Sequence, residues 1–198
     1  MKEMISSVLV LTIICAVSAL LLTGIRNSTS QQRENQELQH VKGPAITKVL
    51  AGSTNDPLAV DGRVKVPMDD GSELTVFVGK FDGKPKIGFE SQGKGYGGDV
   101  KLIVGIDPES DTLVGIGVTT HKETPGVGSR VKTDESYGKQ FVGLSVDENI
   151  AVKADGGIID AISGATVSSK ASCAAVKSGL ELYTKNKDKI LSAIQKVQ

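Results

Sequence analysis

Residues 93–120 read GKGYGGDVKLIVGIDPESDTLVGIGVTT, and the fold turns on the element that the first six of them introduce. Gly93-Lys94-Gly95-Tyr96-Gly97-Gly98 satisfies the spacing G-x-G-x-x-G. A dinucleotide site needs a strand before such a loop and a helix after it, because the pyrophosphate rests on the helix N-terminus. Here DVKLIVGID comes next and reads as a strand, so the segment fails as a Rossmann fingerprint. It is not a P-loop either, since no Gly-Lys-Ser/Thr is present. Two readings remain: an ordinary turn, or a loop that offers Tyr96 to a planar ligand. Val100–Ile106 and Thr112–Thr119 then form a strand pair joined by DPESD, whose Pro and Asp residues suit a turn.

Arg63–Pro67, Glu73–Lys80 and Lys86–Glu90 alternate apolar and polar residues. Asp69-Asp70-Gly71 and Asp82-Gly83 lie between them as hairpin turns require. The pattern is read as strands from Val41 onward, and the last third changes character. Asp134–Phe141 reads as a short helix, and Val167–Leu182 (VSSKASCAAVKSGLEL) as a longer one, small-residue-rich and packed closely on a sheet. The lysine-rich tail TKNKDKILSAIQKVQ reads as helical with an exposed face. The expected class is α+β, with an antiparallel sheet and packed helices in one domain of about 150 residues.

Composition narrows the function. Of 198 residues, 23 are Lys or Arg and 23 are Asp or Glu, so the formal net charge is zero. A nucleic-acid partner is not expected, because such proteins usually carry a concentrated basic face. Hydrophobic residues make up 39% but aromatic ones only 4%, with no Trp, so the core must be aliphatic. The two cysteines, Cys15 and Cys173, and the two histidines, His40 and His121, exclude a disulfide scaffold and a Cys/His metal cluster. No metal site and no catalytic acid or base is expected. Cys173, in the Ala-rich helix, reads as a packing residue.

The averages conceal an apolar run. Met4–Ile25, MISSVLVLTIICAVSALLLTGI, contains no charged residue, and about 20 apolar residues cross the roughly 30 Å hydrocarbon core. A cleaved signal peptide is the rival reading. Its apolar region is usually about 7–15 residues, and the longer run here favours an uncleaved anchor. Ile14 before Cys15 argues against a lipoprotein cysteine. The flanking charges Lys2, Glu3, Arg26 and Arg33 are too few to fix orientation. The expected organisation is a tip and anchor over 1–25, a polar stalk over 26–45 and one domain over 46–198. The sequon Asn27-Ser28-Thr29 carries little weight beside the membrane.

Two further segments could carry chemistry. His121-Lys122-Glu123-Thr124-Pro125-Gly126-Val127-Gly128 follows a strand, and loops at strand ends are where rigid scaffolds present functional groups. With no Cys or second His nearby, His121 is not read as a metal ligand. Asp160-Ala161-Ile162-Ser163-Gly164-Ala165-Thr166 opens the helix from Val167 and has two readings. Thr166 is an N-cap accepting a backbone N–H, or its hydroxyl stands where a phosphate is best stabilised, at the positive end of a helix. In the second reading Ser163 donates to the phosphate, Gly164 admits the backbone and Lys170 lies one turn on.

DAISGATVSSKA, residues 160–171, resembles the Asp-x-x-Ser/Thr-Gly-Ala-Thr flavin attachment motif of FMN-binding domains. Such domains occur in the G subunit of Rnf-type electron transport complexes and in the C subunit of sodium-translocating NADH:quinone reductases. GYGGDVKLIVGID, HKETPGVG and KADGGIIDAISGAT stand in the order and spacing of the Rnf-type G subunit, and the N-terminal span extends the resemblance over nearly the whole chain. Val127 departs from the family's more usual Leu, and Asp99 is more charged than expected.

The resemblance implies FMN held on Thr166 by a phosphoester, installed by a flavin transferase that uses FAD. It implies that Asp160, Ser163, Gly164, Ala165 and Thr166 form the sequence the transferase recognises. Ser163, Gly164 and Ala165 then cradle the phosphate. It implies that Glu123, Thr124, Pro125, Gly126, Val127 and Gly128, with Tyr96, contact the isoalloxazine. It further implies a domain outside the cytoplasmic membrane, and other membrane subunits as partners. The implied role is electron relay in a ferredoxin:NAD oxidoreductase complex coupled to Na+ or H+ translocation. A membrane-anchored flavin sensor outside any pump, and a non-redox binding module, are the alternatives.

Overall fold

The computed structural model describes residues 2–69 and 71–195. Met1, Asp70 of the first hairpin turn and residues 196–198 of the tail lie outside the described residues, as do the side chains of Lys2, Glu3, Met4, Asn27, Ser30, Gln31 and Glu34. The chain divides into two compact units, 1–38 and 39–198.

The first unit is a single helix, α1 (Lys2–Gln36). Its segment Ile5–Arg26, 22 residues long, is apolar and exposed throughout. At 1.5 Å per residue it reaches about 33 Å, enough to cross a bilayer core. The hydroxyls of Thr12 and Thr23 fold back on the carbonyls of Val8 (2.8 Å) and Ala19 (2.7 Å), which satisfies them without water. A π-helical turn, Glu37–Lys42, follows.

After that turn the second unit continues with a helix where strands were expected: α2 (Gly43–Val49), started by Pro44, which has no N–H to lose in a first turn. Five strands follow as an antiparallel meander: β1 (Arg63–Pro67), β2 (Glu73–Phe81), β3 (Lys84–Lys94), β4 (Asp99–Asp107) and β5 (Thr112–Thr120). Asp82 and Gly83 both take positive φ, 49° and 83°, between the paired Phe81 and Lys84. That is the two-residue turn whose twist suits a hairpin. β3 is longer than its alternation indicates. Gly93 and Lys94 pair with Val100 and Asp99, so the glycine-rich loop shrinks to Gly95–Gly98.

The sheet is covered on both faces. α2 buries Ala45, Ile46 and Val49 against β4 and β5. On the other face lies α5 (Thr166–Gln195), packed on β3 and β4. Phe89, Leu102, Val104, Val176 and Tyr183 form the core between helix and sheet. The expected helix and lysine-rich tail are thus one element, with non-helical dihedrals at Asn186 (φ −118°, ψ 18°). The expected helix Asp134–Phe141 is the shorter α4 (Glu135–Lys139), and a further short helix that was not expected, α3 (Arg130–Thr133), precedes it. Asp134 stands between them and accepts from Ser136 N–H at 3.0 Å, capping α4.

One ion pair ties the β4–β5 turn to the far half of α5. Asp111 accepts hydrogen bonds from Lys187 Nζ and, at 2.9 Å, from Tyr183 Oη. The Lys187 hydrogen bond, and secondarily that of Tyr183, holds the Asp111 carboxyl below its ordinary range. A lowered folded pKa means stability that is present above the unfolded value, near 4, and lost as the pH falls through the folded one. Asp111→Asn, which tolerates the positive φ of 50° at this position, is expected to flatten the acid limb of the stability–pH curve. At neutral pH its effect is small, because the pair is partly exposed. Denaturant melts between pH 3 and pH 7 measure this.

Candidate functional site

The three segments singled out above, though far apart in the chain, come together at one corner. At the entrance to α5, Ala165 N–H donates to Ile162 O at 2.9 Å, closing a turn in which Gly164 takes φ +79°. That conformation at the third residue of such a turn selects glycine. Ser169 pins the turn from inside the helix. Its Oγ accepts from Ile162 N–H and donates to Ala165 O, both at 3.0 Å. Thr166 is therefore the first helical residue and Ala165 the residue before it, a correction to Thr166 as an N-cap with the helix starting at Val167. Thr166 is exposed, and among the described residues its hydroxyl makes no hydrogen bond. Ser169 is the first residue whose N–H bonds back into this turn, to Ala165 O at 2.9 Å. Among the described residues the amides of residues 166–168 have no partner and stand at the positive end of a 30-residue helix.

The second segment forms a matching turn. Val127 N–H donates to Thr124 O at 3.3 Å around Pro125 and Gly126, the latter at φ +72°. Ser129 Oγ accepts from Gly126 N–H at 2.9 Å. Val127 is 43% exposed, and its Cγ1 lies 3.9 Å from where a Cβ on Gly164 would stand, so the two glycine turns face each other.

Glu123 joins all three segments. Its side chain is buried; Oε1 accepts from Gly97 N–H at 2.9 Å and Oε2 accepts from Ser168 Oγ. Glycines let the backbone close around it. A Cβ on Gly97 would stand 1.9 Å from Lys122 O, and one on Gly128 would stand 2.7 Å from Ser168 Oγ and 2.8 Å from Glu123 Cβ. Tyr96, at the tip of the β3–β4 loop, is 79% exposed, and Val167 in the first turn of α5 is 50% exposed.

The remaining expected residues fall around this corner. Asp160 pairs with Lys153 at 2.7 Å. Gln140 brackets its backbone, accepting from Asp160 N–H at 2.7 Å and donating to Asp160 O at 3.2 Å. Ser163 is exposed beside Gly164. Lys170 is engaged with Asp155 at 2.8 Å, so it is already neutralised one turn beyond Thr166. Cys173 is buried, its thiol pushed up to about 11 by that burial, which suits packing and not nucleophilic attack. No group of three or more metal-capable side chains occurs among the described residues. Sequence reasoning missed Ser168, Ser169 and Gln140. The one available signal was a pair of adjacent serines at the start of a helix whose next buried turns are built from small residues, Ala171, Ser172, Cys173 and Ala175.

The family model "FMN-binding domain" matches residues 95–181, an interval that holds residues 95–98 of the first segment and the whole of the other two. The chain is 31% identical over 191 residues to the G subunit of the ion-translocating oxidoreductase complex of Shewanella baltica, covering 89% of this chain and 90% of that protein. It is 31% identical over 183 residues to the protein of the same name from Methanosarcina acetivorans, covering 91% and 94%. Among solved structures it resembles the C subunit of the Na(+)-translocating NADH-quinone reductase of Parabacteroides distasonis. That likeness has a TM-score of 0.50 and 26% identity and covers 57% of this chain, though less than two thirds (62%) of the solved chain. The corner built around Glu123 and Thr166 is thus part of an FMN-binding domain, and the chain belongs to the G-subunit family of ion-translocating oxidoreductase complexes.

Proposed function

We propose that this chain is a membrane-anchored flavoprotein with FMN joined to Thr166 Oγ1 by a phosphoester. On this reading it relays electrons between subunits of a ferredoxin:NAD oxidoreductase complex coupled to Na+ or H+ translocation. The observation that carries the reading is an exposed threonine hydroxyl with no hydrogen bond, at the N-terminus of a long helix, inside a matched FMN-binding domain.

The corner fits such a group on its own chemistry. Three free amides and a helix dipole favour a phosphate at the start of α5. Gly164 leaves the approach to the turn clear, and Ser163 adds a hydroxyl donor. Tyr96, Val127 and Val167 present exposed apolar surface of the kind a planar ring covers. When bound, the flavin supplies the electron chemistry, and the chain supplies position and access. We assign the ring contacts to Tyr96 and the Thr124–Val127 turn, and the phosphate cradle to Ser163, Gly164 and Ala165.

Installation needs a flavin transferase. It forms the bond from Thr166 Oγ1 to phosphorus, breaks the pyrophosphate of FAD, and releases AMP and the hydroxyl proton. Asp160, held by Lys153 and Gln140, presents the recognition segment in one conformation. The helix Ile5–Arg26 anchors the chain, and the domain stands on the extracytoplasmic side. There no FMN pool replaces a lost cofactor, which is a physical reason for a covalent tether.

Expression with and without the transferase tests the reading. A flavin-fluorescent band on a denaturing gel is expected only with it, and a colourless chain in its presence overturns the assignment. Co-purification with multispan subunits from the native membrane is expected. A flavin-bearing chain that purifies alone favours a sensor.

A further inference from the structure

We infer that Glu123 and Ser168 form a buried latch that sets the gap between the Tyr96 loop and the first turn of α5 before any flavin arrives. Glu123 is then a positioning residue. The inference rests on the reading of Thr166 as the flavin site.

Three observations carry it. First, Glu123 is only 5% exposed, and each of its oxygens already accepts a hydrogen bond from the chain, one from Gly97 N–H and one from Ser168 Oγ. Second, the two donors lie 26 and 45 residues away in sequence, one beside Tyr96 and the other two residues beyond Thr166. The carboxylate therefore fixes the distance between the two parts of the corner that a bound ring and its phosphate must span. Third, the residues around the latch are small enough to seat it. A Cβ on Gly95 would stand 2.5 Å from Glu123 Oε1, and one on Gly128 would press on both Glu123 and Ser168. Gly97 itself is exposed, and within the described residues Glu123 is the sole hydrogen-bond partner of its amide. Exchange at that amide therefore reports on the latch.

Amide exchange of the full chain in detergent, made without the transferase, reads the latch directly. In Ser168→Ala the carboxylate loses the donor that orients it, and exchange at Gly97 is expected to quicken about tenfold. Glu123→Ala is expected to quicken it further. Glu123→Gln is expected to restore the wild-type rate, because its amide oxygen still accepts from Gly97 and its NH2 donates to Ser168 Oγ. Wild-type exchange at Gly97 in both Ser168→Ala and Glu123→Ala would overturn the latch. Should Glu123→Ala fail to fold, Ser168→Ala decides alone, since it deletes one oxygen atom and fills no new space.

A second arm uses protein loaded with flavin by the transferase. Visible circular dichroism of the flavin is expected to change in Ser168→Ala and to be retained in Glu123→Gln. An unchanged spectrum in Ser168→Ala overturns the positioning role. Wild-type chain that takes no flavin defeats the Thr166 reading instead, while the exchange measurement still decides the latch.

Discussion

Thr166→Val is expected to abolish the proposed covalent flavin: after co-expression with the transferase, the variant gives no fluorescent band and the unmodified intact mass. The effect is all-or-none because the substitution removes the only atom proposed to bond phosphorus and leaves the side chain's shape almost unchanged. Thr166 is exposed and stands at the first helical position, and its hydroxyl makes no hydrogen bond among the described residues. The substitution therefore costs less than about 1 kcal/mol in stability, a melting shift of no more than about 4 °C for a domain of this size. Loss of flavin with retained melting separates a missing nucleophile from a missing fold. Thr166→Ser keeps a hydroxyl at the same backbone position and is expected to take flavin. A fluorescent band that persists in Thr166→Val would move the attachment elsewhere and sink the proposed function in its present form.

Much of the architecture was legible because local signals dominate a meander. Asp82-Gly83 announces its turn, and the antiparallel neighbours follow from short connections. The extent of β3 was not legible, because Gly93-Lys94 carries a loop signature. Only pairing with β4 on one side and α5 beneath makes it strand. The start of α2 was hidden for a related reason: its seven residues are helical by virtue of Pro44 and the sheet face beneath, not by periodicity.

The site divides along the same line. Thr166, Gly164 and the Pro125-Gly126 turn announce themselves through local backbone demands, and the family resemblance supplied their proposed roles. The closure of the corner did not show in sequence. It depends on Glu123 reaching Gly97 and Ser168 across long separations, and no pattern in one segment encodes a partner in another. In the same way, Ser168 and Ser169 look like ordinary helix polars until burial reveals them as ties.

The largest effect on stability is expected from Gly93→Ala. Gly93 lies in β3 under the small-residue face of α5, where a Cβ would stand 2.1 Å from Ala171 O and 2.7 Å from Ala175 N. Both are backbone atoms of a helix held at many other points, so no side-chain rotation relieves the overlap. The helix must lift off the sheet or the strand must bend away. With backbone on both sides, the overpacking falls at the upper end of its usual cost, about 3 kcal/mol, a fall in melting temperature of about 6–12 °C for a domain of this size. The displacement begins less than two turns from Thr166, so flavin loading is expected to fall with stability even though no site residue changes. Gly138→Ala supplies the contrast. Gly138 lies in α4 with nothing within 4 Å of the position its Cβ would take, and the substitution is expected to leave the domain unchanged or raise its stability by about 0.4–1 kcal/mol. If the two alanine variants melt alike, the close seating of α5 on β3 is wrong, and with it the placement of the helix N-terminus that the corner depends on.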